Sequence, residues 1–378
     1  MMKKILCALM LLCLLAGAAL SAAAAETAGF GFVNADDVAM RKTPGGQKLI
    51  RLPKNSCVWV KGEKTDSKGE LWYEVNAEYN DESAYRNRTG WIKAEFVDAG
   101  SALWYDVKSI VVERFGMIVL RNDGTTETAG GSTDRHLRNW YTGGKKVHQV
   151  ALSPFGWTYY ALDTDGKLWL DDGTWNDQDR FWLISSDNFP FRITEDNRLD
   201  TAADSPPEWV YPPDAGAPEL WHVDAMENYN LRLLLLMDDG TVRVADFSDG
   251  TIDYPEPDWS TWTDIASLDA YCIRFGAGQP YHAAFAAVRK DGTVLAAPDQ
   301  LAALVSSWTD IRKIVIGADW VLGLKQDGTV LSAGTGGVPV PDVSGWTGII
   351  DLGTGGDYCA GVKEDGTVVF AGEHVFEE

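Results

Sequence analysis

Apolar and polar residues alternate over short stretches along most of the chain, and tight-turn residues break them up. This is the pattern of half-buried β-strands rather than helices. In the clearest stretch, Val321-Leu-Gly-Leu-Lys325 leads into Gln326-Asp327-Gly328-Thr329, and Thr329-Val-Leu-Ser-Ala-Gly334 runs back. Asp-Gly suits a two-residue hairpin turn whose central positions take positive φ. The same element recurs at Asp123-Gly124, Asp165-Gly166, Asp239-Gly240, Asp291-Gly292 and Asp365-Gly366. Ile193-Thr-Glu-Asp196-Asn-Arg-Leu199 reads as a decayed seventh copy, with Asn197 in the glycine's place. A tryptophan stands nineteen residues ahead at Trp104–Asp123, Trp308–Asp327 and Trp346–Asp365, and eighteen ahead at Trp221–Asp239. Trp262 falls in the same register.

A supersecondary unit repeated at a few tens of residues buries its apolar faces only against its neighbours. Each unit carries three or four strands without helical periodicity. Seven such units close most economically as a seven-bladed β-propeller, which leaves few strand edges exposed. The tryptophans of the register are expected to fill the wedges between blades. The stretch Asp204-Ser-Pro-Pro to Pro218 breaks the register and reads as an inserted loop.

Ahead of the repeats, Phe30 to Asp98 reads as a compact all-β domain, with Val58 and Val60, then Tyr73 and Val75, alternating. Pro44-Gly45-Gly46 and Lys68-Gly69 mark its turns. The order V-N-x-x-x-V-x-x-R-x-x-P-G-G (Val33 to Gly46), W-Y-x-V (Trp72 to Val75) and G-W-I-x-x-x-F-V (Gly90 to Val97) resembles bacterial Src-homology-3-like domains. Arg41 and Trp91 fall in the matching elements, whereas the polar stretch Asn80 to Arg88 is longer than the tight turn usual there. The resemblance implies a small barrel that holds exported proteins to the cell wall or packs beside a partner domain.

The phrase W-T-D-I-x-x-I-x-x-G…G-L-K-x-D-G-T-V-x-x-x-G (Trp308 to Gly334) resembles repeats of the regulator of chromosome condensation family. The match is crisp in the first and last two units and poor between Asp172 and Pro218. The resemblance implies a propeller. It does not carry over the family's small-GTPase or nuclear role, because this chain is acidic and has an export signal. The fold class expected is therefore all-β, a seven-bladed propeller preceded by a small Src-homology-3-like barrel. The domains are residues 1–25, 26–100 and 101–378.

Residues 1–25 read as a signal peptide. Lys3 and Lys4 precede the apolar run Ile5 to Leu20, and Ala23 and Ala25 fit a cleavage site, so a secreted or envelope-associated protein is expected. The whole chain carries 33 basic and 55 acidic side chains, a net charge of −22 that becomes about −24 without the leader. Such a surface disfavours nucleic acid. Cys57, Cys272 and Cys359 would remain, without C-x-x-C spacing, so neither a disulfide framework nor a zinc site is indicated. A Cys272–Cys359 bridge stays open.

One aromatic precedes each turn by seven to ten residues: Phe115, Trp157, Phe189, Tyr229, Tyr281, Trp320 and Tyr358. Equivalent loops would gather them on one face of the propeller, where flat rings suit a protein hot spot or sugar. The alternative is that they turn inward and pack. The acidic cluster Asp163, Asp165, Asp171, Asp172, Asp177 and Asp179 lacks calcium-loop spacing and reads as a solvated turn. The histidines His136, His148, His222, His282 and His374 form no catalytic motif. The expected function is non-catalytic binding of an extracellular protein or cell-wall glycan by a monomer that uses no cofactor or metal. An enzyme inhibitor, like a secreted β-lactamase inhibitor that shares the repeat, and a glycan hydrolase are the alternatives.

Overall fold

Alternation along the N-terminal strands builds a sheet with an apolar interior. A computed structural model describes residues 28–373 apart from 81–84, 100–103, 115, 131–138, 142–145, 153–158, 171–172, 177–180, 186–190, 195–198, 202–222, 230–231, 247–255 and 275–280. The expected leader and the 204–218 insertion lie outside the described residues. Strands β1 (Gly29–Val33), β2 (Val38–Arg41), β3 (Lys48–Leu52), β4 (Cys57–Thr65), β5 (Leu71–Asn80), β6 (Tyr85–Lys93) and β7 (Val97–Ala99) form one sheet in the order β3-β2-β6-β5-β4-β1-β7. All its pairings are antiparallel. Side chains from all seven strands, among them Val33, Met40, Leu52, Val60, Ile92 and Val97, share one core, so the sheet curls around it. Arg41 pairs with Trp91 across β2 and β6, and its guanidinium donates to the Gly46 carbonyl at 2.8 Å, pinning the turn.

The polar stretch Asn80 to Arg88 is not a long loop. β5 and β6 keep pairing as far as Asn80 opposite Tyr85, so the extra length is hairpin.

Seven further sheets of three or four antiparallel strands follow among the described residues. Their leading strands are Val107–Glu113, Val147–Leu152, Phe181–Ser185, Val223–Tyr229, Ile265–Arg274, Ile311–Ile316 and Ile349–Thr354. Each leading strand lies beside that of the next unit, and the seventh lies against the first. The chain is thus mostly β, in a propeller-like succession of sheets. One short helix, α1 (Asp299–Val305), interrupts the all-β reading and packs Leu301 and Val305 between the fifth and sixth units. Seven residues are too few for periodicity to announce a helix.

The Asp-Gly turns fall between the second and third strands, and Ile193 pairs with Leu199 at the decayed copy, whose turn lies outside the described residues. The two-residue form with positive φ at both centres is corrected. At Arg121–Thr125 the Gly124 N–H reaches the Arg121 carbonyl at 3.0 Å and the Arg121 N–H reaches the Thr125 carbonyl at 2.8 Å. Only Gly124 takes positive φ, 81°. This is a three-residue loop ending in a left-handed glycine. The aspartate instead fixes the turn with its side chain: Asp291 Oδ1 accepts from the Thr293 N–H at 2.9 Å and the Thr293 hydroxyl at 2.7 Å. Asp239, Asp327 and Asp365 do the same for Thr241, Thr329 and Thr367.

These turns also join units. The carbonyls of Gly124, Gly240, Gly292 and Gly328 accept the first N–H of the next leading strand, at Val147, Ile265, Ile311 and Ile349. Gly366, in the seventh unit, does the same for Val107 of the first. The residue just before each of three leading strands (Asp106, Asp264, Asp310) is left-handed, with φ of 56–60°, and the turn glycine packs on it. Asp tolerates that region better than most residues with a side chain. Trp104, Trp262, Trp308 and Trp346 are buried as expected. The Trp308 ring lies over Gly323, where a Cβ would come within 2.7 Å of it.

Candidate functional site

The seven predicted aromatics do not form an exposed ring where their side chains can be seen. Trp320 and Tyr358 are 1% and 0% exposed. Each opens the second strand of its unit, where the inward-facing position meets the neighbouring sheet rather than solvent. Trp320 belongs to the core between the sixth and seventh units and folds back over Gly317, whose N–H donates to the Trp320 carbonyl at 2.8 Å. The Tyr358 hydroxyl donates to the carbonyls of Glu113 (2.9 Å) and Gly116 (3.2 Å) in the first unit. These two are therefore packing residues, and a ligand-gripping role for them is corrected. Phe115, Trp157 and Phe189 lie outside the described residues, as do the side chains of Tyr229 and Tyr281.

The loops that lead into Trp320 and Tyr358 nevertheless meet. The Ala318 N–H donates to the Gly356 carbonyl at 3.2 Å, joining the sixth-unit loop to the seventh. The Tyr271 hydroxyl of the fifth unit lies 3.3 Å from where a Cβ on Gly356 would stand. Burial pushes the Tyr271 phenol up to about 12; Arg114 opposes this, while Asp357, Glu113 and Asp319 add to it. All of these groups are therefore within electrostatic reach of one phenol. Arg114 and Asp357, each one residue before a predicted aromatic, are exposed, whereas Glu113 and Asp319 are partly covered. Nothing in these residue types repeats, so the sequence carries no signal for these positions.

A second polar group links the leading strands themselves. Asp351 Oδ1 accepts from the Lys313 ammonium at 2.6 Å and its Oδ2 from the Ile110 N–H at 3.0 Å, tying the seventh unit to the sixth and first. Asp269 Oδ2 accepts from the Ile316 N–H at 2.6 Å, tying the fifth to the sixth. Asp269 is reached by solvent but lies deep among the strands. Burial pushes its carboxyl up to about 7, while the Ile316 N–H, then Lys313, then the Ala270 N–H pull it down. A carboxyl that titrates near neutrality has an acid/base catalyst's pKa, but here its Oδ2 is engaged by the Ile316 N–H, which ties two units together.

The acidic stretch has a structural explanation at its best-defined member. Asp163 Oδ1 accepts from the Asp165 and Lys167 N–H groups, both at 2.9 Å, and Oδ2 accepts from Trp169 Nε1 at 2.9 Å. In the N-terminal domain Asp66 repeats this pattern with Lys68, Glu70 and Trp72. Both share the sequence signature D-x-x-G-x-L-W, Asp66 to Trp72 and Asp163 to Trp169. Asp171, Asp172, Asp177 and Asp179 lie outside the described residues. Among the described residues no three His, Cys, Asp or Glu side chains are grouped to hold a metal. Cys359 is a buried thiol outside any disulfide, its pKa raised by burial, and Cys57 is buried too, while the side chain of Cys272 lies outside the described residues.

No protein-family model matches the chain, and no curated protein is significantly similar to it. Solved structures with a similar fold include the computationally designed Ika8 protein, at 14% identity and a TM-score of 0.44, covering 71% of this chain and 97% of that one. Yeast RCC1 (Prp20), in its complex with Kap60, is 12% identical with a TM-score of 0.43, covering 72% and 81%. PorZ of Porphyromonas gingivalis, a surface component of the type-IX secretion system, is 12% identical with a TM-score of 0.40, covering 73% of this chain and 38% of PorZ. Likeness this slight carries no functional argument.

Proposed function

We propose that the protein is an exported, non-catalytic binding protein of the bacterial cell envelope. In this reading the seven sheets are the blades of a closed propeller, and the N-terminal domain is a Src-homology-3-like barrel. The repeat of one latch between successive units, and again from Gly366 to Val107, supports the closure. The signal-like residues 1–25 support export.

The observation that carries the binding role is the approach of loop residues from the first, sixth and seventh units to Tyr271 on the fifth unit's leading strand. Loops held by a rigid scaffold are where recognition concentrates. With Trp320 and Tyr358 buried beneath, the residues offered to a partner are Arg114 and Asp357 of the exposed rim, beside the Tyr271 hydroxyl. Such a rim suits hydrogen bonding to an extracellular protein or a wall glycan. No small GTPase, nucleic acid, metal or cofactor enters this reading.

The test is a screen of purified protein against wall polymers and against soluble secreted proteins, followed by an Arg114→Ala/Asp357→Ala double variant. Retention of a wall polymer or a single secreted protein, lost in the double variant, supports the reading. Binding that survives the double variant places recognition elsewhere, and release of reducing sugar from a glycan overturns the non-catalytic role.

A further inference from the structure

Successive residues of a strand point to opposite faces. Along β1 and β4, Val33, Val58 and Val60 point into the N-terminal domain's own core. Phe30, Phe32, Cys57 and Trp59 point the other way, into a second core shared with the first and seventh sheets. None of these four is more than 1% exposed. Phe32 meets Trp104 of the first unit, with ring centroids 6.1 Å apart. Trp59 meets Tyr358 at 5.1 Å and Phe370 at 5.9 Å in the seventh, both edge-on. Phe30 packs between Trp59 and Tyr358 at 5.2 and 5.8 Å. Gly29 lies so close to the Phe370 ring that a Cβ would come within 2.3 Å of it, and Lys61 pairs with Glu373 at the edge.

The first and seventh units differ from every other neighbouring pair in that the chain does not run directly from one to the other. Neighbours elsewhere are consecutive in sequence. Here the junction relies on the Gly366–Val107 and Asp351–Ile110 hydrogen bonds, on those of the Tyr358 hydroxyl to Glu113 and Gly116, and on side-chain packing. Terminal units of a repeat array need a cap over their apolar faces. We infer that the N-terminal domain is the clasp of this junction: its Phe30–Phe32–Trp59 face grips the first and seventh units together. That face is consequently closed to any outside ligand, and the domain is not a detachable module. This holds whatever the protein binds.

Hydrogen–deuterium exchange on the full chain tests the clasp. Trp59→Phe and Trp59→Ala are compared with Trp262→Phe, a matching lesion in the core of the fourth and fifth units. The clasp predicts that the Trp59 variants speed exchange about tenfold in Val107–Arg121 and Ile349–Gly372, with Ile265–Arg274 unchanged. Trp262→Phe should do the reverse. Faster exchange confined to β1–β7 in the Trp59 variants, or spread evenly over all seven units, overturns the proposal. Should Trp59→Ala not fold, Trp59→Phe alone gives the same reading.

Discussion

The carbonyl of Gly366 accepts the Val107 N–H at 3.0 Å, joining residues that stand near opposite ends of the repeat region. Gly366 takes φ of 79°, and a Cβ there would come within 2.8 Å of the Asp106 backbone. Gly69 has the same handedness, φ 83°, but open space around it. Gly69→Ala should therefore cost only the left-handed penalty, about 1–2 kcal/mol. Gly366→Ala adds a backbone clash and should cost roughly 1–3 kcal/mol more. Urea unfolding of the two variants measures the difference, and equal midpoints would mean the latch bears no strain.

Trp320 and Tyr358 supply stability rather than contacts to a ligand. Either residue changed to alanine should cost about 3–5 kcal/mol, in line with large aromatic truncations in cores. Tyr358→Phe, which removes only the hydroxyl's bonds to Glu113 and Gly116, should cost about 1 kcal/mol. Thermal unfolding reads both.

In the first unit Arg121 and Glu127 form an ion pair, with side chains 4% and 0% exposed. Arg121 also donates to the Tyr105 carbonyl at 3.2 Å and lies 5.0 Å from the Tyr105 ring centroid. Glu127→Ala would leave the guanidinium buried without its carboxylate, at a cost of about 3–5 kcal/mol. Glu127→Gln keeps an acceptor and should cost less. Denaturant titration of both variants checks the order.

Asp269 sets a pH dependence of definite sign. Its folded pKa, about 7, lies above the ordinary 3.8, so the folded state holds its proton more tightly than the unfolded. The stability this group contributes is complete below pH 3.8 and is lost as pH rises through about 7. Asp269→Asn should flatten the fall in stability between about pH 4 and 7. A slope unchanged in the variant would assign it to another group.

The turn aspartates act in the opposite direction. The threonine hydroxyl, then its N–H, holds Asp239, Asp291, Asp327 and Asp365 below the usual carboxylate range. Their contribution is present above pH 3.8 and lost as pH falls through the lowered values. Thr293→Val, which removes the Asp291 hydroxyl partner, should raise the Asp291 pKa in a carboxyl-resolved NMR titration and leave that of Asp327 unchanged.

Local pattern determined a good deal of this protein. Asp-Gly turns flanked by alternating strands placed the hairpins of Asp123, Asp239, Asp327 and Asp365, because turn chemistry and period-two burial are encoded within a few residues. The buried tryptophans Trp104, Trp308 and Trp346 were legible for the same reason: their register repeats. What a side chain meets was not legible. Trp320 looked as fit for a binding rim as for a core until the neighbouring sheet was seen to cover it. Arg114, Tyr271 and Asp357 share no motif, and only the convergence of separate units brings them together. The second apolar face of β1 and β4 likewise acquired its partner from the first and seventh sheets, since strand alternation decides which way Phe30 and Trp59 point but not what they pack against.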